Sequence, residues 1–149
     1  MALTAARFFS LLFTAIALAP ALAHLLELPN KINLSRDDYL TVQQIYRGWA
    51  LLGFVVVAAL LSALVLTIMV RNRPKVFALT LVAFLCIVGT QVVFWTFTFP
   101  ANQQTSNWTV LPENWMALRT QWEYSHATSA VLNFIAFIAL ILSVLSQRR

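Results

Sequence analysis

A chain of 149 residues with 60% apolar and 10% charged residues cannot coat itself for water, since soluble domains carry about 25% charge; lipid must be the solvent for much of its surface. The length sets an expectation of one domain spanning 1–149. The net charge of +5 comes without a basic stripe interleaved with aromatics, which excludes a nucleic-acid partner, and the single cysteine, Cys86, excludes an intrachain disulfide.

A helix needs about 20 mostly apolar residues to cross the hydrocarbon core, and four stretches qualify. The first covers residues 7–27. Pro20 lies inside it, where a membrane helix tolerates a kink. Pro29 should end it, because proline steers the preceding Leu28 away from helical geometry. Arg7, the apolar run 8–19 and Ala21-Leu22-Ala23 also read as a secretory signal whose cleavage would leave His24 first.

The second stretch covers 49–70, and in the linker before it Ser35 with Asp38 three residues on resembles a capping box. It extends the second helix to 36–70, about 52 Å at 1.5 Å per residue. The third helix covers 76–99, and Pro112 suits the first position of a fourth helix over 112–146. The segment 100–111 is then a loop, and helices 36–70 and 112–146 stand out of the bilayer on its side. With three glycines and no dominant small-xxx-small seam, packing should rely on side-chain fit. The expected fold is all-α, an integral membrane four-helix bundle.

Charge sets the expected topology. Arg7, Arg71, Arg73, Lys75, Arg148 and Arg149 share one side without an acid; Lys31, Arg36, Arg47 and Arg119 share the other with all five acids. The positive-inside rule places the first side, with both termini, in the cytoplasm, as in a multi-pass protein of a bacterial inner (plasma) membrane.

The chain's two histidines both fall at the outer ends of spans. His24 precedes Glu27 by three residues and His126 follows Glu123 by three, so each pair shares a helix face. The first helix runs outward and the fourth inward, so this mirrored order could set both imidazoles at one depth. Three chemistries fit: a single metal ion on His24, Glu27, Glu123 and His126, a haem held axially by the two histidines, or a metal-free base oriented by a glutamate. The plain alternative is interfacial side chains reaching water and headgroups, with Arg119 and Glu123 as an ordinary helix ion pair.

Further polar and aromatic residues gather at the same end. Gln44 lies on the second helix, Gln91 on the outer half of the third and Asn102 in the capping loop. Trp115, Arg119, Trp122 and His126 follow steps of four and three along one face. Such a wall suits a flat, lipophilic, partly anionic small molecule, with Arg119, Trp122, Asn102, Gln91 and Gln44 lining its pocket. Trp95, Trp108 and Trp115 read instead as an interfacial belt, and Asn107-Trp108-Thr109 matches a glycosylation acceptor.

The stretch Asn114-Trp115, Leu118-Arg119 and Trp122-Glu123-Tyr124-Ser125-His126, with Phe99-Pro100-Ala101-Asn102 and the 24–29 segment, resembles a family of small four-helix membrane proteins that includes the anthrone oxygenases. The resemblance implies four membrane helices and oxygenation of a lipophilic aromatic at an activated carbon without an organic cofactor. Histidine takes the proton in that chemistry. Carried to this chain, it implies His126 as base, with Trp122 and Asn102 in the pocket. The arginine that the family often places shortly after this histidine is missing from 127–130, which leaves the substrate class open.

The leading expectation is therefore a membrane-bound oxidoreductase or oxygenase-like enzyme acting on a lipophilic molecule, with His126 as base or ligand and His24 as its partner. The competing reading is a non-catalytic accessory or assembly subunit docking on a larger membrane protein complex. A transporter ranks below both, because the membrane centre lacks paired charges.

Overall fold

The computed structural model describes residues 1–146, so Arg148 and Arg149 lie outside the described residues. The described chain is helical, with no strand. Its elements are α1 (Ala2–Lys31), α2 (Arg36–Gln43), α3 (Leu52–Met69), α4 (Pro74–Val93), α5 (Phe99–Gln104) and α6 (Trp115–Leu145). Four helical stretches in that range are long and apolar enough to cross a membrane: Ala2–Lys31, Trp49–Met69, Pro74–Gln104 and Trp115–Leu145.

Helix α1 continues through both Pro20 and Pro29 to Lys31, past the expected stop. The last turn closes with Ile32 N donating to Leu28 O at 3.0 Å, and Lys31 is pinned by buried partners on α6. Tertiary anchoring outweighs the local preference of the residue before proline. The Ser35 cap forms as its spacing predicts. Its hydroxyl accepts from Asp38 N at 3.3 Å and donates to Asp38 Oδ2 at 2.6 Å.

The expected continuous helix over 36–70 is broken. After α2 come 3-10 turns at Gln44–Tyr46 and Trp49–Leu51, separated by Gly48 at φ +88. That left-handed geometry is cheap only for glycine. The break lets α2 lay Tyr39 against Trp108, Leu111, Leu118 and Trp122 instead of continuing the axis of α3. Between α4 and α5, Phe94–Thr98 forms a π-helical turn. Gln121 Nε2 on α6 donates to its Phe97 carbonyl at 2.8 Å.

The bundle packs α6 against α1 and α4, and α3 against α1 and α4. Alanine sets the close approaches: Ala59, Ala63, Ala83, Ala130 and Ala136 are all essentially inaccessible, with Leu66, Ile87 and Leu140 between the helices. Small side chains that let backbones approach are the usual solution in lipid, and here they form the seam that the scarcity of glycine hid. Phe54, Val57, Leu61, Val65 and Ile68 of α3 face outward, as lipid-contacting residues must.

Candidate functional site

At one end of the bundle the two histidines meet. His24 of α1 and His126 of α6 stack with ring centroids 4.1 Å apart and planes inclined by 31°. Trp122, one turn from His126, stands 4.2 Å from that ring and 5.0 Å from His24. Tyr46 and Trp49, delivered by the break at Gly48, close on His24 at 4.5 Å and 5.6 Å. His24 is buried and His126 half-buried. The stacked rings leave no layer between them for a flat macrocycle, so axial haem ligation by this pair does not fit.

The glutamates do not join the imidazoles. Glu123, fully buried, accepts through Oε1 from Lys31 Nζ at 3.0 Å and from the Tyr39 hydroxyl at 2.9 Å. Glu27 accepts from the Tyr46 hydroxyl and lies 3.8 Å from Lys31 Nζ. Among the described residues no group of three or more His, Cys, Asp and Glu side chains is arranged to hold a metal ion. The expected set of His24, Glu27, Glu123 and His126 is thus not assembled. The reason is Lys31, whose ammonium competes for both carboxylates.

Lys31 is the residue that the sequence reading missed. It is 3% exposed, donates to the Tyr46 oxygen at 2.8 Å, and lies over the rings of Tyr46 at 4.5 Å and Trp122 at 4.8 Å. Each such cation–ring contact contributes roughly 0.5–2 kcal/mol when desolvated. A signal was available: His24, Glu27 and Lys31 follow steps of three and four on one face of α1. Tyr39 was missed too, and Gln43 Nε2 donates to its oxygen at 2.6 Å. Burial, and then the Glu123 carboxylate, push the Tyr39 hydroxyl far above the usual tyrosine range. Burial and the bond to Glu27 raise Tyr46 in the same direction.

The expected pocket residues separate into two sets. Asn102 Oδ1 accepts from Trp122 Nε1 at 2.8 Å and from Trp108 Nε1 at 3.2 Å, and so ties α5 to the site. Trp108 is buried at 3% exposure, which overturns its belt assignment, whereas Trp95 at 60% fits that role. Ser106, Asn107 and Trp108 all take positive φ, held there in part by Thr105 Oγ1, which accepts from Trp108 N at 3.1 Å.

Arg119 braces the loop rather than facing the histidines. It donates to Leu34 O at 2.8 Å and stacks on Trp115 at 4.7 Å. Gln44 is likewise structural, its amide donating to Trp108 O at 2.9 Å and Leu40 O at 3.1 Å. Gln91 bonds to Thr90 of its own helix.

Three atoms of the cluster are buried without a hydrogen-bond partner among the described residues: His24 Nδ1, Gln43 Oε1 and Glu123 Oε2. Buried polar groups are ordinarily paired, so unmet hydrogen-bonding capacity is concentrated here. Comparison with family models, curated proteins and solved structures returns no match.

Proposed function

We propose that this chain is a membrane-bound, oxygenase-like enzyme that removes a proton from an activated carbon of a lipophilic molecule taken from the outer leaflet. The observation that carries this reading is the stacked pair His24 and His126, the chain's two histidines, held 4.1 Å apart among Trp122, Tyr46 and Trp49. His126 is the base, because it is the more accessible imidazole. His24, buried behind it, holds the His126 ring in place by stacking. The excess of cations at the opposite end supports an outward-facing site, with both termini in the cytoplasm of a bacterial cell.

In the oxygenase form of the reaction, the carbanion left by proton removal reacts with dioxygen. For anthrone, one dioxygen gives anthraquinone and one water. The test supplies anthrone to membranes containing the full chain and follows dioxygen uptake and anthraquinone. Wild type should turn over, and His126→Gln should lose about 10²–10⁴-fold in rate, the usual contribution of a positioned base. Background turnover by wild type refutes the oxygenase reading. Turnover unchanged in His126→Gln removes the histidine from the mechanism.

One observation favours a second reading. Both site carboxylates have partners inside the chain, Lys31, Tyr39 and Tyr46, as they would in a structural brace of an accessory subunit. Co-purification with larger subunits at fixed stoichiometry supports that reading.

A further inference from the structure

We propose that Lys31 is an amine nucleophile that captures the carbonyl of a lipophilic aldehyde or ketone as an iminium beside the histidine pair. The proposal rests on the carbon-acid reading above only for its final step. Its ground is the placement of the amine. Lys31 Nζ lies at the site end of α1, 3.0 Å from Glu123 Oε1 and 2.8 Å from the Tyr46 oxygen, under the rings of Tyr46 and Trp122. Those same two rings flank His24, at 4.5 Å and 5.0 Å. Amine and His24 imidazole therefore touch the same two rings.

A structural ion pair needs only one oxygen of Glu123. Here Glu123 Oε2 is buried and unbonded, and so is Gln43 Oε1 nearby. Both groups belong to side chains more than nine-tenths buried. Glu123 Oε1, 3.0 Å from the ammonium, is a proton acceptor in place, and burial favours the transfer, because passing the proton removes two desolvated charges at once. The resulting free amine is the form that attacks carbonyls, and desolvated lysines serve this role elsewhere.

Lys31 gives one proton to Glu123, and its nitrogen lone pair attacks the carbonyl carbon. The C–O π electrons take up one of the two protons left on the nitrogen, and a carbinolamine forms. Glu123 returns its proton to that hydroxyl, the nitrogen lone pair forms the C=N bond, and the C–O bond breaks to expel the carbonyl oxygen as water. The product is an iminium that keeps the original positive charge of Lys31 opposite the Glu123 carboxylate. The ion pair is thus restored, and the net change is ammonium plus carbonyl to iminium plus water. An iminium withdraws electrons from the adjacent carbon, which makes its proton available to His126.

The chain contains only two lysines, Lys31 and Lys75, and Lys75 is exposed, so the protein carries its own reference amine. Full-length protein in detergent is treated with decanal and sodium cyanoborohydride, which reduces an iminium to a stable amine, and the decylated lysine is located by peptide mass spectrometry. The decyl adduct at Lys31 should exceed that at Lys75 about tenfold, as for an activated over an ordinary amine. Lys31→Arg should abolish it.

Equal or heavier labelling of Lys75 in wild type overturns the proposal. This ratio decides even where Lys31→Arg fails to fold. An adduct at Lys31 without anthrone turnover removes the oxygenase reading and keeps the amine, whereas turnover without a Lys31 adduct does the reverse.

Discussion

Removing the ammonium at Lys31 should cost far more than its salt bridge is worth. Lys31 Nζ and Glu123 Oε1 are 3.0 Å apart with side chains 4% and 0% exposed. At an effective dielectric of about 20, their attraction is roughly 5–6 kcal/mol, which a desolvation penalty of several kcal/mol per ion largely offsets. Lys31→Met nevertheless leaves Glu123 buried with only the Tyr39 hydroxyl as donor. A buried charge stripped of its partner typically costs about 3–5 kcal/mol.

Glu123→Leu should cost a similar amount through the abandoned ammonium. The double variant should cost clearly less than the two combined, with a coupling of about 2–3 kcal/mol. The measurement is unfolding of the detergent-solubilised chain by titrated sodium dodecyl sulfate, followed by tryptophan fluorescence and circular dichroism. A loss below about 1 kcal/mol in Lys31→Met, or strict additivity in the cycle, would refute the argument.

Three other outcomes are expected. Tyr39 and Tyr46 keep their protons in the fold above the pH at which unfolded tyrosine, near about 10, releases them. Their contribution is therefore complete below that pH and is lost as pH rises above it, and tyrosinate absorbance from both should appear together with loss of helix. Asn102→Leu strands the indole N–H groups of Trp122 and Trp108 and should cost about 1–3 kcal/mol, read by the same unfolding assay. Gly48→Ala meets no atom within 4 Å but must hold φ +88, so it should cost about 1–2 kcal/mol from backbone strain alone, with Gly48→Asn costing less.

Much of the fold was legible because lipid imposes one rule on every residue of a span. Four apolar runs at the length of a bilayer predict four helices, and their ends fall within about five residues of those found, except at the break before α3; the segment 100–111, expected as a loop, instead begins as part of α5 (Phe99–Gln104). Lys31 extends α1 past Pro29 because its ammonium is held by α6, and Gly48 breaks the predicted helix over 36–70 so that Tyr46 can reach Glu27 and Lys31. Neither event has a local signature strong enough to override apolar periodicity.

The site divides along the same line. By itself, the sequence determined that two histidines share a membrane end with two glutamates, since mirrored three-residue spacing on antiparallel helices needs only helix geometry. Only the tertiary structure decided which of these groups touch. Imidazole stacked on imidazole, while both carboxylates turned to Lys31 and the tyrosines, because a buried carboxylate recovers more from an ammonium and a hydroxyl than from a neutral ring. That competition depends on atoms 84 and 92 positions away from Tyr39 and Lys31 along the chain, and no pattern within a single helix records it.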